Sequence, residues 1–302
     1  MAGYDRLSRH VSRISVYPLH LLPNTEYTEK RSEYGIVSVR GDHDDFEYIL
    51  AHNTMSFADN ELMKRFLSWT RVMTEGLILR GTWVGLRELG GVTQSQVLKN
   101  LDAWIAETDD PAAGPLQDWL VAEQERGKVA CGDAVKYLFG HPDAKRLLER
   151  WWDESLRPLL PPENAEALDD VFRYDLLTQP YYRHPDAGPD TEVLDTEKIG
   201  TEVYVKRSVT LRRNVPALLA ALRQGDAEDH LRPADHPLDL YFRLGAETYI
   251  GNTNLEQLVY FVGSTREAIE TAAIAASAES EDVIGGTEGI ALRLTENAGY
   301  AQ

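Results

Sequence analysis

The chain has 302 residues, 43% hydrophobic and 26% charged, the balance of a folded globular protein and not of a disordered one. Asp and Glu number 49 against 31 Lys and Arg, a formal charge of −18. That charge argues against a general nucleic-acid binder, whose affinity comes from neutralised phosphates, and against docking on anionic lipid. No apolar run reaches the roughly 18 residues of a membrane span, so no integral membrane protein is expected. The single cysteine, Cys131, cannot close an intrachain disulfide. A thiolate zinc site or an iron–sulfur cluster held by this chain alone would need several cysteines. The N-terminus lacks a basic stretch leading into an apolar core, so no secretory signal is expected and the expected compartment is the cytoplasm.

Tyr4, Leu7, Val11 and Ile14 recur at spacings of three and four, which predicts an amphipathic helix over 4–13 with Arg6, Arg9 and Arg13 on its wet side. Residues 14–22 form an apolar run of strand length, stopped by Pro23-Asn24. With few polar positions it reads as a strand buried on both faces, as in a parallel sheet. Asn24 or Thr25 caps an expected helix over 26–33 that ends at Gly35. Strands over 36–40 and 46–50 flank the acidic turn Gly41-Asp42-His43-Asp44-Asp45.

From Ser56 the period becomes helical. Ser56 and Asp59 have the spacing of a capping box, and Leu62, Phe66, Trp69 and Met73 make one apolar stripe. Helical character continues to Gly90-Gly91. Further helices are expected from the Thr93 cap through Ile105, around 116–127, at 135–139, over 143–159 and over 165–177. After Pro180 comes a loop, then a strand over 201–211, a helix over 216–222 and strands at 238–244 and 248–250; periodicity leaves 254–262 open between strand and helix. From about residue 275 the chain is small, acidic and Gly-bearing, and a mobile tail is expected.

Candidate chemistry is sparse. Asp42, His43, Asp44, Asp45 and Glu47 are the densest set of potential metal ligands, but they lack the central Gly and terminal Glu of a calcium loop, and a solvated turn is the ordinary reading. His141-Pro142, His184-Pro185 and His236-Pro237 recur at irregular distances; a His trio on a metal is the sharp reading and unrelated loop histidines the bland one. His20, inside the apolar run, lines a pocket or sits as a core histidine. The glycines after Ile284 lack the Lys-Ser/Thr of a phosphate loop, and the six tryptophans read first as core. Cys131 has no evident base or redox partner and reads as a structural thiol. No catalytic residue and no metal ligand is assigned.

One segment stands above this background. His20-Leu21-Leu22-Pro23-Asn24-Thr25-Glu26-Tyr27, followed by Arg31 and Tyr34-Gly35-Ile36, resembles a stretch of cobalamin-binding radical S-adenosylmethionine (radical SAM) proteins. In that family a strand ends in Leu-Pro-Gly-Thr or a close variant and leads to a short helix ending in Tyr-Gly or Phe-Gly; Asn24 stands where Gly is more common. The passage from Tyr48-Ile49-Leu50 to Met55-Ser56-Phe57-Ala58-Asp59 is similar to the same family, and the match covers about residues 10–75.

The chain thus reads as α+β, mostly α: by the resemblance, the terminal strand of a radical SAM partial barrel with its hairpin (1–52) and a helical C-terminal domain (53–180), and by its residue pattern a small mixed α/β segment (181–263) and a helix end with an acidic tail (264–302). The resemblance implies that Pro23, Asn24 and Thr25 lie near S-adenosylmethionine and that His20 and Trp69 face substrate. The family's Cys-x-x-x-Cys-x-x-Cys and Asp-x-His-x-x-Gly are absent. The chain therefore reads as the substrate-side, C-terminal portion of such a protein: a shortened gene product, a split subunit or a diverged relative. It binds no cofactor alone; the [4Fe-4S] cluster, S-adenosylmethionine and cobalamin of radical methylation or rearrangement are implied for the parent family. The implied partners are an N-terminal radical SAM or cobalamin-binding half and a small-molecule substrate, with no nucleic acid and no membrane. A non-catalytic helical interaction module is the alternative, and a metal-dependent hydrolase the third reading.

Overall fold

Helix takes 59% and strand 15% of the structure, a computed structural model, and the sheets are small and antiparallel, so the chain is α+β and mostly α. Residues 2–11, 14, 20–40, 47–126, 131–188, 193–250 and 255–273 are described. The acidic turn at 41–45 and the glycines after Ile284 lie outside them. No helix among the described residues is long and apolar enough to cross a membrane.

Helix α1 (Ala2–Ser8) is shorter than the periodicity predicts, and Leu7 is exposed. It is held by two residues. The Tyr4 hydroxyl donates to Gln94 Oε1 at 2.7 Å, and the Asp5 carboxylate accepts from the Ser95 amide and hydroxyl. Both anchors lie in the first turn of α5 (Gln94–Glu107).

The N-terminal sheet corrects one expectation. Within 14–22, His20–Leu21 forms strand β1, and it pairs antiparallel with β3 (Glu47–Ala51), not parallel. β3 sits between β1 and β2 (Val37–Arg40). An apolar run reports burial and says nothing of strand direction. Burial here is also one-sided: Leu21 is buried, whereas Leu22 is exposed. The helix expected over 26–33 shrinks to α2 (Glu26–Glu29), continued by turns to Gly35.

Ser56 caps α3 (Phe57–Thr70) in a reciprocal capping box with Asp59, as the spacing predicts. The unbroken helical character expected up to Gly90 is interrupted. A π-helical turn over Arg71–Glu75 is followed by a break, then α4 (Gly81–Gly85) and a second π-helical turn over Leu86–Gly90. Local causes are visible. Thr70 and Thr74 donate back to the carbonyls four residues earlier, a bond that bends helices. Leu77 takes a left-handed φ of 59°. Helices α5, α6 (Gly114–Arg126), α7 (Cys131–Gly140), α8 (Pro142–Trp151) and α9 (Pro162–Leu177) complete the body.

The C-terminal sheet orders as β4 (Asp195–Ile199), β5 (Glu202–Leu211) and β6 (His236–Arg243), all antiparallel. Gly200, with φ +61°, turns the two-residue link between β4 and β5. Val205, Leu240 and Phe242 pack on Tyr174 and Leu177 of α9, and the opposite face packs Ile199, Tyr204 and Tyr241 against Ile269. Helix α10 (Val215–Gln224) bridges the connection. The strand expected at 248–250 is instead a 3-10 turn over Ala246–Thr248, and Leu255–Phe261 is 3-10 helix.

The main core gathers Trp69, Trp83, Trp119, Trp151 and Trp152 with aliphatic side chains of all the central helices. It also takes Tyr4 and Ile14 from the N-terminal segment and Ala246, Ile250 and Leu258 from the C-terminal one, so it crosses the boundary expected near residue 180. Cys131 is partly buried against this core.

Candidate functional site

Two places deserve a functional reading: the loop singled out by resemblance, and a cavity in the helical body.

In the loop, Asn24 adopts a left-handed φ of 60°, a conformation that favours Gly and is tolerated by Asn. Thr25 precedes α2, but its hydroxyl donates back to the Leu22 carbonyl at 2.9 Å instead of capping the helix. Thr28 donates to the same carbonyl at 2.5 Å, so the turn is closed by two side chains. Gly35, with φ +59°, lies against Asn53, whose side chain donates to the Glu33 carbonyl. Antiparallel register puts His20, Tyr48 and Val39 side by side on one face of the sheet, and the His20 and Tyr48 rings meet edge to face at 4.8 Å. On the other face Arg31 forks onto Glu47 with both bonds at 2.9 Å, and Ser38 donates to the same carboxylate. The Ser38 hydroxyl and the guanidinium hold the Glu47 carboxyl below its ordinary range.

Trp69, paired with His20 by the resemblance, belongs to a different part of the molecule. It is 1% exposed in the helical core, its indole N–H donates to Asp102 at 2.7 Å, and its ring meets that of Trp119 at 5.2 Å. Pro23 and Asn24 are exposed at the surface.

The cavity, of about 270 Å³, lies between α6, α7, the start of α8 and the loop after Pro180. Pro115 and Trp119 come from α6, Ala134 and Tyr137 from α7, and His141 and His184 from the two helix-starting turns. The His141 and His184 rings are 5.7 Å apart, and Tyr137 lies 5.1 and 6.1 Å from them. Thus two of the three recurring His-Pro pairs converge, and the third does not: His236 opens β6 opposite Leu211.

The convergence has a local cause. Residues 141–144 and 184–187 are the same tetrapeptide, His-Pro-Asp-Ala. In each copy His is the N-cap, Pro takes the first helical position, and Nδ1 of the His accepts the amide of the Asp at 3.2 Å. The His184 amide then donates to the Gly140 carbonyl at 3.1 Å. Gly140 permits that approach, since a Cβ there would stand 2.5 Å from the His184 nitrogen and from the Tyr182 ring. The three His-Pro pairs stand out in the sequence; what singles out the two that meet is the identical Asp-Ala that follows them.

Because each Nδ1 accepts a backbone N–H, the neutral ring carries its proton on Nε2. Burial lowers the pKa of His184, which favours this neutral form. The Tyr137 hydroxyl donates to the Ala112 carbonyl at 2.7 Å, and burial pushes its pKa up to about 12. Trp119 is buried, and its indole N–H has no hydrogen-bond partner among the described residues. Asp133 and Asp186 bring two solvent-exposed carboxylates to the lining.

The arrangement does not suit a metal. Nε2 would have to lose its proton, and Nδ1, facing a backbone N–H, has no room to take it. Among the described residues no three His, Cys, Asp or Glu side chains converge as a metal-binding group.

Two further polar clusters were invisible in the sequence. Asp175 accepts the amides of Arg80, Gly81 and Thr82 and the Thr82 hydroxyl at 2.7–3.0 Å, capping α4 from another helix. The Arg80 guanidinium lies 3.7 Å from that carboxylate, donates to the Asp175 carbonyl and bonds Thr178. Arg213 and Asp170 form a second buried pair. These hold helices together and carry no evident chemistry.

No family model matches the chain, and no curated protein matches it.

Proposed function

We propose that the chain is a substrate-side accessory module, without radical chemistry of its own, that works beside a partner of the radical SAM and cobalamin type. What supports the reading is the resemblance over about residues 10–75, and one observation carries it furthest. Asn24 holds the left-handed backbone that suits glycine, at the position where the resembling proteins favour Gly. The electron that cleaves S-adenosylmethionine comes from a low-potential cluster, and this chain has one cysteine, so the partner must hold the iron. In this reading His20, Tyr48 and Val39 present one face of the N-terminal sheet to the partner, beside the Pro23-Asn24-Thr25 loop. The second reading, a stand-alone helical interaction module, draws on the core that joins both ends of the described chain.

Anaerobic purification of the tagged full-length chain from its source cells separates the two. A stoichiometric partner carrying iron, sulfide and cobalamin, whose 5′-deoxyadenosine formation falls when Asn24 is replaced by Val, is the expected result. A monodisperse monomer without such a partner would favour the second reading.

A further inference from the structure

The cavity between α6, α7 and the two His-Pro-Asp-Ala turns is not needed by the function above, and its chemistry selects a ligand. Its walls are apolar and aromatic: Pro115, Ala134, Trp119 and Tyr137. Both imidazoles line it with Nδ1 already occupied by a backbone amide, so each has a single N–H, on Nε2, to offer. Trp119 lines the cavity with its ring, while its indole N–H, closed off from water, has no acceptor among the described residues and is not counted as a donor to the cavity. Tyr137 offers no such donor, because its hydroxyl is spent on Ala112. The donors left to the lining are therefore the two imidazole N–H groups, and they call for an acceptor.

The charges decide which acceptor. Asp133 and Asp186 are the carboxylates of the lining. Lys136 faces Asp133 at 3.9 Å, Arg146 is paired with Asp143, and the whole chain carries −18. A carboxylate or phosphate ligand would meet this negative field, whereas a carbonyl would not. We propose that the cavity binds a small uncharged molecule that sets a carbonyl oxygen against the His141 and His184 N–H groups and an apolar or aromatic body against Trp119 and Tyr137. The volume, near the lower end for ligand pockets, limits the occupant to a compact molecule.

Three probes sharing one phenyl ring test this on the full chain: the isosteres benzamide and benzoate, and toluene, followed through the His ring and Trp indole N–H resonances. Trp119 is identified by Trp119→Phe. Benzamide is expected to shift the His141, His184 and Trp119 signals saturably. Benzoate is expected to bind about fivefold more weakly, the factor for ~1 kcal/mol of repulsion between screened unit charges. Toluene, lacking an acceptor, should leave the imidazole signals in place. Asp133→Asn with Asp186→Asn changes two exposed side chains and, in variants whose urea midpoint is unchanged, should bring benzoate up toward benzamide. Benzoate binding as tightly as benzamide, no saturable shift with benzamide, or stoichiometric Zn²⁺ on both imidazoles would each overturn the proposal.

Discussion

Asn24 and Gly140 are two residues at which backbone geometry leaves little freedom. A β-branched side chain at Asn24 would meet the left-handed penalty of about 1–2 kcal/mol, and glycine would not. Asn24→Val should therefore lower the unfolding free energy in urea by that amount, while Asn24→Gly stays within about 0.5 kcal/mol of the natural protein. Gly140→Ala places a methyl 2.5 Å from the His184 nitrogen, which must move. A loss of about 1–3 kcal/mol is expected, together with displaced His141 and His184 ring resonances. Unmoved rings would show that Gly140 does not set the cavity.

His184 gives the same site a pH signature. Burial lowers its pKa, so the folded chain takes up the proton less readily than the unfolded one. The associated stability is complete above the unfolded value of about 6.5 and is lost as pH falls through the lower folded value. His184→Asn keeps an N-cap acceptor and removes the titration. Its urea midpoint should fall less steeply than that of the natural protein between about pH 7 and 5; parallel slopes would show that His184 titrates alike in both states.

At the scale of elements, α4 is set apart by a cap that comes from another helix. It has five residues, too short to be stable by itself, and begins with Gly81. Its N-terminal amides are satisfied by Asp175 of α9, so the two helices are joined through one carboxylate. Asp175→Ala removes those acceptors and leaves the Arg80 guanidinium buried without a counter-charge. A cost of about 3–5 kcal/mol in chemical denaturation is expected. Breaking the Arg31–Glu47 pair, which is partly exposed on the N-terminal sheet, should cost under about 1 kcal/mol. Equal costs for the two would mean that α4 finds another cap.

For the molecule as a whole, one core draws side chains from the N-terminal helix, the central helices and the segment after β6. All six tryptophans fall between residues 69 and 152, so indole fluorescence reports the central body, whereas far-UV dichroism sums over the sheets as well. The shared core predicts that the two signals fall along one urea transition. Two separated midpoints would show that a sheet detaches first. The helical block, its caps at Ser56 and Thr93 and the alternation of β5 were legible in the residues, because capping chemistry and side-chain period act over neighbours in sequence. β4, Asp-Thr-Glu-Lys-Ile, was not, since an exposed edge strand needs no apolar pattern and is defined by its partner. Nor was the direction of β1, because hydrophobicity measures removal from water and carries no sense of parallel or antiparallel. By itself the sequence determined the class of the protein, the positions of most helices and the absence of cysteine enough for a cluster of its own. Which of three His-Pro turns would meet, and that Asp175 would serve a helix some ninety residues earlier, only tertiary structure decided. Such contacts depend on where packing brings distant segments together, and no local rule encodes that.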